Sequence, residues 1–421
     1  MEEKFQKKYD EKLKRINDAL YGRIPDRVPI DIDGGRFMVN YAGYQMKDIV
    51  YDTSFDVYRE CAKKFLNDFD PDVVSVAGGN FYGEGPAHEL TKSKTMIVAG
   101  QNDPRVGANS IHQFVEFPTL LDDEFDEFLT DRTKWVLNKF LPRISDVCKP
   151  FETLKIDPSH RGISMLAMQF GRPEIREAIT QLWEIADAYK EVGMKSRAAQ
   201  KEMCDLGYPS MVGGGAVAPF DKYSDTFRGT LLSLTDLYEY EDEVKEFCDN
   251  FHQQQLRQIR ATNKDGKLNG KYIQMMLHKG IDGFMDDDRY ERFYWNYLED
   301  IINAIHEIGM IPMLFAEGRY MTRLKFLERT PEGPILYRFE SMDMGEVKKR
   351  IGKKACIGAG FPSPLLEFGT KQQVIDETKK LLDQVMEGGG YIFRCSAGID
   401  TGTPENVAAM FETVKEYGRY K

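Results

Sequence analysis

Short apolar runs alternate with longer amphipathic segments from one end of the chain to the other. RVPIDIDGG at 27–35, PDVVSVAGG at 71–79, SMVGGGAV at 210–217 and KYIQMML at 271–277 each have the length and apolar density of a buried strand. So do IPMLFAEG at 311–318, ILYRFE at 335–340, KKACIGAG at 353–360 and GGYIFRC at 389–395. Between these runs the apolar positions recur at helical spacing, which predicts helices over 56–68, 175–204, 231–263 and 287–308, with a short one after Met321. Strands and helices alternating at this period predict an α/β fold, a (β/α)₈ TIM barrel, although an open doubly wound sheet shares the pattern.

The charged segment 1–25 is helical in period and predicts an N-terminal helical extension. The stretch 83–117, rich in Gly, Pro and His, breaks the rhythm and predicts a long loop insertion over one end of the barrel. No Gly/Ser linker or low-complexity tract interrupts the pattern, so one barrel domain is expected over 1–421. In such a barrel the C-terminal ends of the strands carry the chemistry, so residues at those ends weigh most.

Composition narrows the partners. With 421 residues, 42% of them hydrophobic, the chain has enough apolar material for a large core. A net charge of −11 and the lack of a Lys/Arg block argue against nucleic acid as a partner. No apolar run approaches the roughly 20 residues needed to span a bilayer, and the N-terminus has neither signal-peptide nor transit-peptide character, so a cytoplasmic location is expected. The six cysteines are widely spaced with no Cys-x-x-Cys, which signals neither a disulfide framework nor a zinc knuckle. Gly213-Gly214-Gly215 and Gly388-Gly389-Gly390 match no phosphate-cradling pattern, and tight turns explain them more simply.

The C-terminal stretch GGYIFRCSAGIDTGTPENVAAM, with Gly398-Ile399 and Thr403-Pro404-Glu405-Asn406-Val407, resembles the signature of the uroporphyrinogen decarboxylase superfamily. GRIPDRVPI, APFDKYSD with its Pro219-Phe220 pair, and ACIGAGFPSPLL extend the resemblance over nearly the whole chain. Two chemistries divide that superfamily. The decarboxylases hold a porphyrinogen's carboxylates with an arginine cluster on the first strand–helix loop, where this chain reads DIDGGRFMVNYAGY and offers only Arg36. The methyltransferase branch is more similar in length and in its Asp26-Arg27-Val28-Pro29 and Lys47-Asp48-Ile49 phrases. Its thiol-methylating members carry a His-x-Cys-Gly zinc motif and a later Cys, where this chain has Phe315-Ala316-Glu317-Gly318 and Ala397.

The phrases MLHKGIDGFM, PMLFAEGRY and HQFVEF resemble instead the first methyltransferases of O-demethylase systems. That resemblance implies a methoxylated aromatic as methyl donor, and the Co(I) centre of cobalamin on a separate corrinoid protein as acceptor. A uroporphyrinogen decarboxylase, a methyltransferase using methanol, a methylamine or a methylated thiol, and a non-catalytic binding module remain as alternatives.

Cleaving an aryl methyl ether requires the departing oxygen to be protonated or held by a Lewis acid. His278, Glu317 and Cys356, taken as lying at strand ends, would supply a nitrogen, an oxygen and a sulfur to a catalytic zinc with one open position, with Cys395 as a weaker fourth candidate. The plainer readings are a loop-capping or substrate-binding His278, an ion-paired Glu317 and a merely buried Cys356. Glu317 is also the expected catalytic group. Asp221 and Arg228 are expected to position substrate or relay a proton, unless they pin their loop as a pair. Asp282 either orients His278 or caps a turn. Phe220, Phe315 and Tyr320 are the expected walls of an aromatic pocket, and Trp295 is expected to pack a helix onto the barrel.

Overall fold

The computed structural model describes residues 1–74, 80–156, 162–396 and 398–421. The second half of the PDVVSVAGG run (75–79) and Ala397 lie outside the described residues. Six strands form one parallel sheet in chain order: β3 (Val212–Gly215), β4 (Tyr272–Leu277), β5 (Ile311–Ala316), β6 (Leu336–Phe339), β7 (Cys356–Ala359) and β8 (Tyr391–Ile392). β1 (Met96–Ile97) and β2 (Gln113–Phe114) form a separate antiparallel pair.

Backbone hydrogen bonds close the sheet through the first two apolar runs. The Phe393 N–H donates to Pro29 O at 2.8 Å and the Asp31 N–H to Phe393 O at 3.0 Å. The Asp72 N–H reaches Ile30 O at 2.8 Å, and the Val74 N–H reaches Pro209 O at 3.0 Å. The expected barrel is therefore present. Its first stave is reduced to a bridge at Ile30, because Pro29 has no N–H to give and Gly35 (φ +48°) starts a helix, Gly35–Tyr41, immediately afterwards.

The helices that wrap the barrel include α2 (Asp56–Phe69), α3 (Pro173–Asp205), α4 (Glu241–Thr262), α5 (Asn296–Glu307), α6 (Met344–Ile351), α7 (Lys371–Val385) and α8 (Pro404–Tyr417). α5 presents an apolar stripe of Ile301, Ile302 and Ile305 and packs on β5. Trp295, fully buried just before α5, packs in this layer as expected. The helices predicted through 231–263 are Gly229–Glu239 and α4, separated where Tyr240 leaves helical dihedrals (φ −133°, ψ 40°) to stack on Phe125 at 4.5 Å. Among the described residues no helix is long and apolar enough to cross a membrane.

The lumen is stratified. Its floor is apolar, built by inward side chains low on the strands, among them Tyr272, Ile311, Leu336, Cys356 and Ile392. Helix α1 (Glu3–Leu20) closes it from below with Ile16, Ala19 and Leu20, all at most 3% exposed. Burying Ile16 and Leu20 contributes about 1.5–3 kcal/mol each. α1 is also tied by charge to the first two staves. Asp72, wholly buried, accepts from Arg15 (2.5 Å), Arg27 (2.7 Å) and the Ile30 N–H (2.7 Å), with Lys12 Nζ at 3.8 Å. Burial alone would raise this carboxyl's pKa, but Arg27, Lys12 and Arg15 outweigh it and hold the group below its ordinary range.

The segment 83–117 lies over the mouth as expected: Ile111, Phe114 and Glu116 line cavities there. The sequence pattern did not reveal the helical addition that follows, which carries a small core of its own around Cys148, Phe151, Leu154 and Ile175.

Candidate active site

The register of the sheet decides which residues meet at the mouth. Leu277 pairs with Ala316, and Ala316 with Phe339. The next residue on each strand is therefore level with its neighbours: His278 after β4, Glu317 after β5 and Glu340 after β6. Strand alternation turns all three inward. His278 Nε2 lies 3.3 Å from Glu317 Oε2, and Glu340 Oε2 accepts the Gly318 N–H at 2.6 Å.

The imidazole has a second carboxylate on its other nitrogen. Nδ1 of His278 is 2.6 Å from Asp225 Oδ2, and Lys279 Nζ is 3.0 Å from the other oxygen of Asp225. The hydrogen bond to Asp225 raises the His278 pKa above its ordinary value against the opposing effect of burial, with the charges of Asp225, Asp221 and Glu317 adding to the rise. Burial would raise Asp225 in turn, yet its bonds to His278 and Lys279 leave it lowered. The result is an imidazole held between two carboxylates that favour its protonated form, with its side chain 37% exposed to a cavity of about 530 Å³.

Asp221 sits behind this group. It lies in the short helix Pro219–Tyr223 that follows β3 and is completely buried, accepting the N–H groups of His278 (3.0 Å) and Lys279 (2.9 Å) and the Tyr294 hydroxyl (2.6 Å). Burial pushes its pKa up to about 6. Asp221 fixes the backbone that carries His278 and, fully enclosed, has no surface to offer a substrate.

Arg228 is not its partner. Its guanidinium forks onto Asp236 (2.7 and 2.8 Å) and also reaches Asp122 (2.8 Å) and Leu120 O (2.8 Å) at 3% exposure, so it pins the loop to the helical addition. The substrate role expected for Arg228 is thereby corrected. Asp282 accepts the N–H groups of Met321 and Thr322 and caps that turn, while Asp225 takes the orienting role on His278.

Of the three aromatic candidates only Phe315 reaches the lumen, where it lines a cavity of about 310 Å³ together with Met276. Phe220 and Tyr320 are wholly buried in the core outside the lumen, and the Tyr320 hydroxyl donates to Leu277 O at 2.7 Å. Proximity to a strand end did not tell which way these rings point.

The proposed zinc set is not assembled either. Cys356 opens β7 and pairs with Leu336, which pairs with Met313, four residues below Glu317. At ~3.3 Å per residue it lies about 13 Å deeper, inside the apolar floor. Burial there drives its thiol pKa far above the ordinary value, the reverse of what a thiolate ligand needs. Cys395 is buried as well, beside Met410. Among the described residues no group of three or more His, Cys, Asp or Glu side chains could hold a metal ion. The mouth thus fits a proton-donating histidine, and the His278, Glu317, Cys356 set does not fit zinc.

Two arginines missed by sequence reasoning stand lower in the lumen, Arg338 on β6 and Arg394 just after β8, and with Arg36 they line the 310 Å³ cavity. A charged residue at an inward position of an apolar strand was the available signal.

Comparison with known proteins agrees with this architecture. Residues 172–417 match the family model for uroporphyrinogen decarboxylase (URO-D). The uroporphyrinogen decarboxylase of Neisseria meningitidis serogroup C (strain 053442) is 26% identical over 144 residues, 32% of this chain and 39% of that protein. That of Ruthia magnifica subsp. Calyptogena magnifica is 24% identical over 162 residues, 35% of this chain and 46% of that protein. The chain thus spans less than half the length of the curated relatives it matches. In fold it is similar to a methyltransferase from Methanosarcina mazei, with a TM-score of 0.58, 14% identity, and coverage of 96% of this chain and 98% of that one.

Proposed function

The chain belongs to the uroporphyrinogen decarboxylase family, and from that premise we propose that it is a methyltransferase that takes the methyl group of an aryl methyl ether. The observation that carries the reading is the His278 imidazole, held between Asp225 and Glu317 and open to a cavity at the mouth. The hydrogen bond to Asp225 favours its protonated form, and a proton held there is what a phenolate leaving group needs.

His278 donates that proton to the ether oxygen as the bond to the methyl carbon breaks, so the product leaves as a neutral phenol. Asp225 fixes the ring orientation through Nδ1 and stabilises the charged form, while Asp221 holds the backbone beneath it. Glu317, half exposed beside Nε2, aligns the donating edge. When docked, the reduced cobalt of a separate corrinoid protein supplies the nucleophile that accepts the methyl group. The exposure of His278 and Glu317 supports access by a group carried on a partner. The full-length fold likeness to a methyltransferase supports the same branch of the family.

One observation favours decarboxylation of a porphyrinogen instead. Arg36, Arg338 and Arg394 converge on one cavity, and the named sequence relatives are uroporphyrinogen decarboxylases. The two readings separate in one experiment. The chain is mixed with reduced corrinoid protein and a panel of methoxylated arenes, methanol and methylamines, and separately with uroporphyrinogen alone. Phenol formation that depends on corrinoid is expected; turnover of uroporphyrinogen without it, and none of the ethers, would replace the methyltransferase reading.

A further inference from the structure

We infer that Arg338 and Arg394 form a carboxylate-binding subsite deep in the lumen, so that the methyl donor is an aromatic acid whose ether oxygen reaches His278. The inference rests on the methyl-transfer reading above and adds the chemical class of the substrate.

Its first support is a surplus of hydrogen-bond donors. Both guanidiniums share one carboxylate: Arg338 Nη2 donates to Asp31 Oδ2, and Arg394 Nη1 donates to Asp31 O (3.1 Å) and Oδ1 (3.3 Å). Each guanidinium offers five N–H groups in a fixed fork. Nε and one terminal nitrogen of each arginine therefore have no protein acceptor among the described residues. Of the other acids nearby, Asp33 accepts the Gly35 N–H at 2.9 Å and acts on Arg394 through its charge without a hydrogen bond to it, and Asp400 at the rim is paired with Arg36 at 2.9 Å. The Arg338 and Arg394 side chains are 7% and 16% exposed and line the 310 Å³ cavity, so these donors face the lumen, and burial with mutual repulsion lowers the pKa of Arg394.

A second observation is independent of the first. The Tyr272 hydroxyl is buried without a hydrogen-bond partner among the described residues. Its ring lies 6.0 Å from the Arg338 guanidinium, and it lines a lower cavity of about 210 Å³ bounded by the same two arginines. A carboxylate docked on the arginine fork gives this hydroxyl an acceptor as well.

The spacing suits a single aromatic ring. Arg338 lies two residues below Glu340 on the same strand, and Glu340 is level with His278 and Glu317. Two residues of strand rise about 7 Å, close to the span of a benzene ring bearing substituents at opposite ends. Phe315 and Met276 form apolar walls between the two levels, an aromatic face and a thioether that suit a ring.

The test is calorimetric titration of the full chain, without corrinoid protein, with 4-methoxybenzoate and with its uncharged mimic 4-methoxybenzamide. The acid is expected to bind at least about tenfold more tightly. Arg394→Gln and Arg338→Gln are each expected to abolish that preference while leaving amide affinity within about twofold, and thermal melting reports whether each variant is folded. Arg394→Lys, which keeps the charge but not the fork, should retain part of the preference. Equal affinity for acid and amide in the unmodified protein, or binding of neither, overturns the inference whatever the variants do. Phenol formation from neutral ethers with no preference for the acid would overturn it while sparing methyl transfer. Tight acid binding that never yields phenol would sustain the subsite and remove the methyl-transfer reading.

Discussion

Nδ1 of His278 and Oδ2 of Asp225 lie 2.6 Å apart, although 53 residues of chain separate them. The contact joins the end of β4 to the helical segment after β3, and it favours the protonated form of the imidazole that faces the mouth.

Asp225→Asn should therefore weaken the proposed reaction by roughly 10- to 100-fold. Without its carboxylate partner the imidazole pKa falls back toward 6.5, so the alkaline limb of the pH–rate profile moves to lower pH. The sign for stability follows the same shift. A histidine pKa raised on folding adds stability that is complete below about pH 6.5 and is lost as pH climbs through the raised value. Rate profiles of both proteins check this, and an unmoved alkaline limb would remove His278 as the proton donor.

Asp221 carries the opposite sign of linkage from most carboxylates. Its folded pKa of about 6 exceeds the ordinary 3.8, so its contribution is greatest below about pH 4 and is lost as pH rises through about 6. Asp221→Asn cannot titrate and should flatten that part of the stability curve. It also places an amide N–H₂ against the N–H groups of His278 and Lys279, at a constant cost of about 1–3 kcal/mol. Melting temperatures of the two proteins from pH 4 to 7 should converge as pH rises; parallel curves would contradict the assignment.

Asp72→Ala leaves Arg15, Arg27 and Lys12 facing one another without their buried counter-charge. A loss of about 3–5 kcal/mol is expected. Denaturant unfolding measures it, and a change under 1 kcal/mol would mean that water reaches the cluster.

Cys356→Ala should cost no more than about 1–2 kcal/mol of stability and leave both metal content and turnover unchanged, since the thiol sits in the apolar floor. Glu317→Gln, by contrast, should lower turnover with little effect on stability because its side chain is half exposed. If zinc copurifies in stoichiometric amount and is lost from Cys356→Ala, the three-donor set discarded on geometry would have to be restored.

The sequence pattern located the strands better than it located their phase. Apolar runs marked six of the barrel strands and the stave at Ile30, and His278 and Glu317 were found because His278 directly follows its run and Glu317 stands at the polar end of its own. Cys356 was misplaced because the run KKACIGAG does not say where its strand begins; the pairing with Leu336 shows Cys356 to be the first residue, at the bottom. Glu340 ends ILYRFE just as Glu317 ends its own run, so that signal existed and was missed. Asp225 could not be read, since its meeting with His278 depends on how the loop after β3 folds back. Asp221 and Arg228 looked like a pair from seven residues away, but Arg228 bonds Asp236 on the following helix instead. Phe220 and Tyr320 show the same limit, because a residue's place along the chain near a strand end leaves its direction free.

Helix α1 stoppers the barrel from below with Ile16, Ala19 and Leu20. Among the described residues the lumen opens at the rim, which imposes an order of traffic on the proposed reaction. If a partner docks on the rim as proposed, the small molecule has to be aboard first, and its remains can depart only once that visitor has lifted off.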